Sequence, residues 1–219
     1  MKKSKNNKDW DIVIQSQKSF FKIDIKSLFS YRDLIYMFVR RDYVVFYKQT
    51  ILGPLWYLIQ PLVNTIVFTV IFGKVAKIST DGTPPFIFYM AGSVIWSYFS
   101  SCLSATSNIF VANAGLFGKV YFPRLIVPIA SIILSLLQFL IQFTFFLLFL
   151  GYFIFNGSDI NINISALFLP FLLLQLAILS IGFGTLISSV TAKYRDLSFA
   201  LPFLIQIWMF TTPIVFPLS

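Results

Sequence analysis

Residues 126–155 read Ile126-Val-Pro-Ile-Ala-Ser-Ile-Ile-Leu-Ser-Leu-Leu-Gln-Phe-Leu-Ile-Gln-Phe-Thr-Phe-Phe-Leu-Leu-Phe-Leu-Gly-Tyr-Phe-Ile-Phe155. None of these side chains is charged, and most are leucine, isoleucine or phenylalanine. As an α-helix the stretch would be about 45 Å long at 1.5 Å per residue, which exceeds the ~30 Å hydrocarbon core of a bilayer. Because backbone polar groups in lipid must bond within their own segment, the stretch predicts a membrane-spanning helix.

The rest of the chain has the same apolar character. Its 219 residues are 58% hydrophobic and 11% charged, with a mean hydropathy of +0.82. A soluble surface needs about a quarter of the residues charged, so the composition excludes a soluble globule and a disordered chain. The uncharged runs predict an all-α integral membrane protein whose transmembrane domain, over 53–219, has five spans at about 53–73, 86–106, 126–155, 167–190 and 198–214.

The basic residues are concentrated at alternate ends of the predicted spans. Of the 17 Lys and Arg residues, eleven precede residue 49, and two fall in each of the connections 107–125 and 191–197. The opposite connections, 74–85 and 156–166, hold only Lys74 and Lys77. By the positive-inside rule the amino terminus and the basic connections are cytoplasmic in a multi-pass membrane protein. Topology thus explains the net charge of +9, and we expect no nucleic-acid partner.

Ahead of the first span, the sequence predicts a cytoplasmic tail over 1–27 and an amphipathic helix over 28–48. At 100° per residue, one half of this helix is apolar, with Leu28, Tyr31, Leu34, Ile35, Phe38 and Val45. The basic residues lie on the other half, a pattern typical of a helix in the membrane interface. The helix is either a basic anchor attracted to anionic lipid or a docking surface for a cytoplasmic partner. Asp42 falls on the apolar half, which favours the second interpretation.

The predicted spans contain no Asp, Glu, His, Lys or Arg that a coupled ion or proton could use. The chain has no phosphate loop, since Gly118-Lys119 lacks a following Ser or Thr and Asn113 stands where the first glycine belongs. One cysteine and no histidine exclude a Cys/His metal site, and Asp81 and Asp159 form a poor catalytic set. We therefore expect a transport subunit without enzymatic activity or a cofactor of its own, driven by another subunit.

Amide side chains are paired one helical turn apart within two spans: Gln60 with Asn64 in the first, and Gln138 with Gln142 in the third. These pairs predict either close helix packing or a passage for neutral hydroxylated cargo such as sugar. The tryptophans Trp56, Trp96 and Trp208 also have two interpretations, as an interfacial belt or as rings that stack on sugars along the cargo path.

Two other spans carry small residues at every fourth position: Ser93, Ser97, Ser101 and Ala105 in the second, and Ser180, Gly184 and Ser188 in the fourth. This spacing predicts close helix–helix packing. Pro61 lies within the first span, where it removes a backbone donor and is expected to kink the helix.

Three motifs lie beside predicted span boundaries: Tyr47-Lys-Gln-Thr-Ile-Leu-Gly-Pro-Leu-Trp56 with Gln60-Pro61, then Lys119-Val-Tyr-Phe-Pro-Arg124, then Tyr194-Arg-Asp-Leu197 with Pro202-Phe203 and Phe210-Thr-Thr-Pro-Ile214. In this order they resemble ABC-2-type permeases that export polysaccharides, over nearly the whole chain. The resemblance implies a type V exporter-like transmembrane domain that moves lipid-linked O-antigen, teichoic acid or capsular polymer across a bacterial cytoplasmic membrane. Family members continue into re-entrant outer helices and a sixth span, so we expect the sequence to be truncated after Ser219.

The resemblance also implies partners. Such permeases form homodimers and recruit two copies of an ABC ATPase subunit, which holds the ATP and Mg²⁺. The coupling helix that contacts the ATPase corresponds to residues 108–118 of the 107–125 loop, and the implied contact residues are Asn108, Phe110, Asn113, Leu116, Phe117 and Lys119. The gate helix of the family corresponds to residues 31–47.

The cargo implied by the resemblance is an undecaprenyl-pyrophosphate-linked or similar lipid-linked glycan. Arg40, Arg41 and Lys48 are candidates for the first contact with its phosphates, and positive-inside anchoring explains the same residues equally well. Competing interpretations are an ABC-2 permease for a drug or lipid, a membrane-embedded glycan-modifying enzyme and a structural scaffold.

Overall fold

The computed structural model describes residues 25–48, 53–80, 82–158, 160, 164–214 and 216. Regular structure within these residues is helical, as the composition predicts. The α-helices are α1 (Ile25–Ser30), α2 (Arg32–Lys48), α3 (Trp56–Phe68), α4 (Pro85–Ser107), α5 (Ile109–Ala112), α6 (Ala114–Phe117), α7 (Ile126–Phe155), α8 (Leu169–Thr191) and α9 (Asp196–Thr211). A π-helix, Thr69–Val75, continues α3, and the 3₁₀ turns Gly53–Leu55 and Ile164–Phe168 precede α3 and α8.

Four helical segments have the length and apolarity to cross a membrane: Trp56–Val75, Pro85–Ser107, Ile126–Phe155 and Ala166–Thr191. They match the first four predicted spans to within a few residues at each end. The fifth predicted span corresponds to α9, which has 16 residues and is about 24 Å long at 1.5 Å per residue. Because a hydrocarbon core is ~30 Å thick, a fifth crossing stays a prediction.

Several sequence-based predictions lie outside the described residues. They concern most of the predicted tail, residues 1–24, and the expected truncation after Ser219. Asp81 and Asp159, the two loop carboxylates considered for catalysis, are also outside the described part of the chain.

Helix α4 is the centre of the fold. Half of the residues in its most apolar stretch are buried, whereas only 6% are buried in the corresponding stretch of Ala166–Thr191. One face of α4 packs on α7 through a cluster that includes Val94, Tyr98 and Phe139. Another face packs on α9 through Leu103 and Leu201. Helix α4 also contacts α3 and α8, so it fixes the positions of the other long helices.

Helices α4 and α8 meet at the small residues of α8. The Thr106 hydroxyl donates a hydrogen bond that is shared by the Cys102 carbonyl of its own helix, at 2.7 Å, and the Ser180 carbonyl of α8, at 2.9 Å. A Cβ atom on Gly184 would overlap the Thr106 side chain, so the two helices approach closely only because this position is glycine. We refer to the contact of Thr106 with Ser180 and Gly184 as the α4–α8 seam, and it is the close packing that the ladder in the fourth span predicts.

Gly184→Ala is expected to destabilise the protein, because its new methyl group must displace Thr106. Overpacking of this kind costs about 1–3 kcal/mol. The matched control is Gly182→Ala on the same helix, where an added Cβ meets nothing within 4 Å. Thermal unfolding in detergent micelles is expected to show a lower Tm for Gly184→Ala and an equal or higher Tm for Gly182→Ala. Equal Tm values for the two variants would contradict a tight seam.

Candidate functional site

A cleft of about 610 Å³ opens between α3, α4 and α9. We call it the polar cleft, because its lining includes uncharged amides and hydroxyls: Gln60, Asn64, Ser93, Ser97, Ser100, Ser101, Ser104 and Gln206. No charged side chain of the described residues lines it. Apolar walls come from aromatic residues that include Phe72, Trp96 and Phe210. The arrangement offers hydrogen-bond donors and acceptors beside flat apolar rings.

The structure brings Gln60, Asn64 and Trp96, three residues of the predicted cargo path, to this one cleft. The serines of the small-residue ladder of α4 differ in burial. Ser93 is buried and lies 3.2 Å from the Thr65 hydroxyl of α3, whereas the next two members, Ser97 and Ser101, also line the cleft but are less buried. A ladder predicted as packing therefore also supplies cleft hydroxyls.

Gln206, Ser100 and Ser104 line the polar cleft but are absent from the sequence-based predictions. A signal for Gln206 exists, because it is the single amide in the apolar sequence of α9. A signal for Ser104 exists too, since it follows Ser97, Ser100 and Ser101 at spacings that place all four on one side of α4.

The other two tryptophans of the predicted cargo path lie outside the polar cleft. Trp56 is 48% exposed at the start of α3, as an interfacial residue would be. Trp208 packs edge-on against Phe99, with ring centroids 5.3 Å apart, and lines an apolar groove next to the cleft. Trp96 lines both the groove and the cleft and so forms the wall between them.

The glutamine pair of α7 lies at the contact with α3. Pro61 has no N–H, so the Tyr57 carbonyl, four residues earlier, has no intrahelical donor. Gln142 Nε2 donates to this carbonyl oxygen at 2.9 Å, and the Gln138 side chain is hydrogen-bonded to that of Tyr57. The two amides therefore hold α3 against α7 at the proline, and in this structure neither lines the polar cleft.

The 107–125 loop consists of α5, α6 and a return segment to α7. Its aromatic rings form a continuous series of contacts. The ring centroids of Phe110 and Phe117 are 5.9 Å apart, and those of Phe117 and Phe122 are 5.6 Å apart. Phe122 in turn lies 5.9 Å from Phe38 of α2. We call these four rings the aromatic row, and it joins the loop to α2.

The six residues predicted to contact an ATPase are divided between the inside and the outside of the loop. Phe110, Leu116 and Phe117 pack inward against the core shared with α2 and α7. Asn113 Nδ2 donates to the Ile109 carbonyl at 3.1 Å within α5. Asn108 is half-buried, and Lys119 is exposed. The inward residues shape the loop, and its outer surface is available to a partner.

The apolar half of α2 packs on the loop and on the start of α7, with Leu34, Ile35, Phe38 and Val39 in the shared core. Asp42 accepts a hydrogen bond from Arg41 Nε at 2.7 Å, and the Arg41 guanidinium lies 4.9 Å from the centre of the Phe38 ring. The acidic residue on the apolar half is thus neutralised within α2 itself.

The other two predicted headgroup contacts, Arg40 and Lys48, differ from Arg41 in their ion pairing. Arg40 and Lys48 are exposed, and among the described residues neither forms an ion pair. Of the three predicted headgroup contacts, these two therefore keep a full charge available to an anion.

A family model described as ABC-2 type transporter matches residues 33–219. The chain belongs to this family. The match covers the polar cleft, the 107–125 loop and nearly all of α2, so every part of the site lies within the family domain. It confirms at the family level the resemblance carried by the three boundary motifs.

Relatives of this ABC-2 transporter are named for export. An O-antigen export system permease protein RfbA of Myxococcus xanthus is 25% identical over 195 residues, which are 89% of this chain and 72% of the relative. Two proteins of the same name from Klebsiella pneumoniae are each 27% identical over 187 residues, or 84% of this chain and 69% of the relative.

In this ABC-2 transporter, Gln142→Leu is expected to weaken the contact of α3 with α7, because the Tyr57 carbonyl loses its donor. An unsatisfied buried carbonyl costs about 1–3 kcal/mol. Pro61→Ala restores an N–H to that carbonyl, so the same glutamine change is expected to cost less in the Pro61→Ala background. A double-mutant cycle from thermal unfolding in micelles measures the coupling energy, which is expected to be about 1 kcal/mol. Strictly additive changes would place the function of Gln142 elsewhere.

Proposed function

We propose that this ABC-2 transporter is the permease subunit of an exporter that moves a lipid-linked polysaccharide across a bacterial cytoplasmic membrane, with its amino terminus inside. The polar cleft carries the proposal. Burying a hydroxyl without a hydrogen-bond partner costs about 1–3 kcal/mol in proteins, and a sugar chain carries several hydroxyls per unit. The serines and amides that line the cleft offset this cost, because they offer hydrogen bonds to the glycan as it moves through. The names of the relatives support the same class of cargo.

The described lining of the cleft holds no charged side chain, which favours glycans with neutral repeats. A teichoic acid brings a phosphate with every repeat, and each would lose its hydration uncompensated in the cleft, whereas a neutral glycan brings only the phosphates of its lipid carrier. An apolar drug or lipid would leave the serines and amides of the cleft without partners. An uncharged, hydroxylated polymer of the O-antigen kind satisfies the lining on both counts.

Energy for the cycle comes from a separate subunit in this proposal. Helices α4, α7 and α8 contain no Asp, Glu, His, Lys or Arg, so a coupled ion would find no charged group in them. We assign ATP and Mg²⁺ to two copies of an ABC ATPase subunit that contacts the outer surface of the 107–125 loop, where Lys119 is exposed. The permease chain itself then has no catalytic step to perform.

A second copy of the chain completes the passage. Gln60, Asn64 and Gln206 are exposed along the open side of the polar cleft, and lipid offers amides no hydrogen bonds. A copy related by a two-fold axis would present the same surface and enclose the two clefts together. The proposed permease is therefore a homodimer.

The basic half of α2 is proposed to receive the phosphates of the lipid carrier before the glycan enters. Arg40 and Lys48 are exposed there, and charged donors bind phosphate oxygens strongly. Arg41 contributes less in this proposal, because the Asp42 carboxylate accepts from its Nε at 2.7 Å and offsets its charge. The undecaprenyl-pyrophosphate class of carrier provides the required anion.

Ser101→Trp tests the polar cleft as the cargo path. The indole would fill part of the cleft between α4 and α9, so export is expected to fall at least about tenfold, which corresponds to about 1.4 kcal/mol of added barrier. The measurement is glycan at the cell surface in a strain whose only permease is the variant. Ser189→Trp is the matched control, since Ser189 is exposed on α8, and it is expected to export normally. Normal export by Ser101→Trp, with the ATPase still co-purifying, would refute the assigned path.

Arg40→Gln is expected to slow export more than Arg41→Gln, because Arg41 is already paired with Asp42. We expect a loss of about fivefold for Arg40→Gln and less than about twofold for Arg41→Gln, in keeping with one charged contact to phosphate. Initial export rates at limiting lipid-linked glycan provide the comparison. Equal effects of the two changes would assign both arginines to general membrane anchoring.

A further inference from the structure

One hydrogen bond connects the 107–125 loop to α8. The backbone N–H of Phe110, near the start of α5, donates to Ser188 Oγ at 3.0 Å. An N–H in the first turn of a helix has no intrahelical acceptor, and the Ser188 side chain is fully buried. The hydroxyl therefore satisfies a backbone donor that has no access to water on that side.

This bond extends the α4–α8 seam into the loop. Thr106 packs on Gly184 one helical turn before Ser188, and its hydroxyl bonds the Ser180 carbonyl. Apolar residues of α8, among them Leu173 and Ile181, also pack on the cluster between α4 and α7. Within these contacts, the seam is the part where a close approach at glycine and hydrogen bonds fix the position of α8 relative to α4.

Phe110 also belongs to the aromatic row. Its amide is held by Ser188, while its ring contacts Phe117 and so leads through Phe122 to Phe38 of α2. On the other side, α8 ends at Thr191 and α9 begins at Asp196. Helix α9 supplies Gln206 and Phe210 to the polar cleft. A displacement of the loop thus has a physical route to the cleft through α8 and α9.

We propose that Ser188 is a positioning residue for energy coupling: it fixes the start of the loop to α8, so that a push on the loop moves α8 and α9 and reshapes the polar cleft. The inference rests on the proposed function, in which an ATPase subunit acts on the loop. Without the hydroxyl, the Phe110 amide has no acceptor on α8, and the loop moves without α8. ATP hydrolysis then continues while export falls behind.

The experiment uses the permease reconstituted with its ATPase subunit and lipid-linked glycan, and it measures ATP hydrolysed per glycan exported. Removing one hydrogen bond between two coupled elements shifts their balance about fivefold, so Ser188→Ala is expected to raise this ratio about fivefold, together with a modest fall in Tm from the lost bond. Ser189→Ala is the matched control, because the adjacent Ser189 is exposed and bonds only within α8 at the Leu186 carbonyl. Its ratio is expected to equal that of the wild type.

A second measurement tests the bond directly. Hydrogen–deuterium exchange in the peptide that contains Phe110 is expected to be faster in Ser188→Ala than in the wild type or in Ser189→Ala. Ser188→Cys, which keeps the shape and has a weaker acceptor, is expected to change the exchange and the ratio in the same direction. An unchanged ratio or unchanged exchange in both variants overturns the inference, and so does a parallel loss of hydrolysis and export with a lowered Tm. A wild-type complex that hydrolyses ATP but exports no glycan refutes the proposed function instead.

Discussion

The absence of water in the hydrocarbon core is the constraint on which this structure depends. Each backbone carbonyl there must find a donor inside the protein. Hydroxyl side chains face the same requirement and meet it by donating to the carbonyl four residues earlier, as Thr65 does to Pro61 at 2.7 Å and Thr185 does to Ile181 at 2.7 Å. Pro61 has no N–H to donate to the Tyr57 carbonyl, and the Gln142 amide of α7 supplies the missing donor. The polar residues named here therefore serve first to keep hydrogen-bonding groups paired where water is absent.

Polar side chains that are not needed for this purpose line the polar cleft, the surface proposed to carry the cargo. Gln142 and Thr106 are turned toward backbone carbonyls of neighbouring helices and hold the fold together. Gln60, Asn64 and Gln206 are instead exposed along an open cleft, where the surrounding lipid would leave them unsatisfied. Exposed amides at membrane depth are costly unless something polar meets them, and a second subunit and a hydroxylated cargo are both able to do so. The cleft therefore resembles an unpaired sheet edge, because both present polar groups that still need hydrogen-bond partners.

The sequence predicts the long helices well because the bilayer sets their length and charge marks their ends. It predicts the cleft only in part, since periodicity tells which residues share a helical face and not which neighbour that face meets. Gln60 and Gln142 are both glutamines with an amide side chain one helical turn away. Gln60 nevertheless lines the cleft, whereas Gln142 donates to the carbonyl that Pro61 leaves without a donor. Asp42 is misplaced on a helical wheel, and only the geometry shows that Arg41 neutralises it. Both outcomes depend on contacts between residues that sequence spacing alone does not reveal.

The packing of α8 shows how the same constraint shapes motion. A helix surrounded by lipid gains no hydrophobic energy from packing on its neighbours, so close approach of small residues and hydrogen bonds must hold it. Gly184 provides the approach, and Thr106 and Ser188 provide the hydrogen bonds. Contacts of this kind are short and directional, so they resist sliding while the lipid-facing side offers little resistance. A force applied near Phe110 is then carried along the seam rather than lost in deformation, and α9 follows because a four-residue connection, 192–195, joins it to α8.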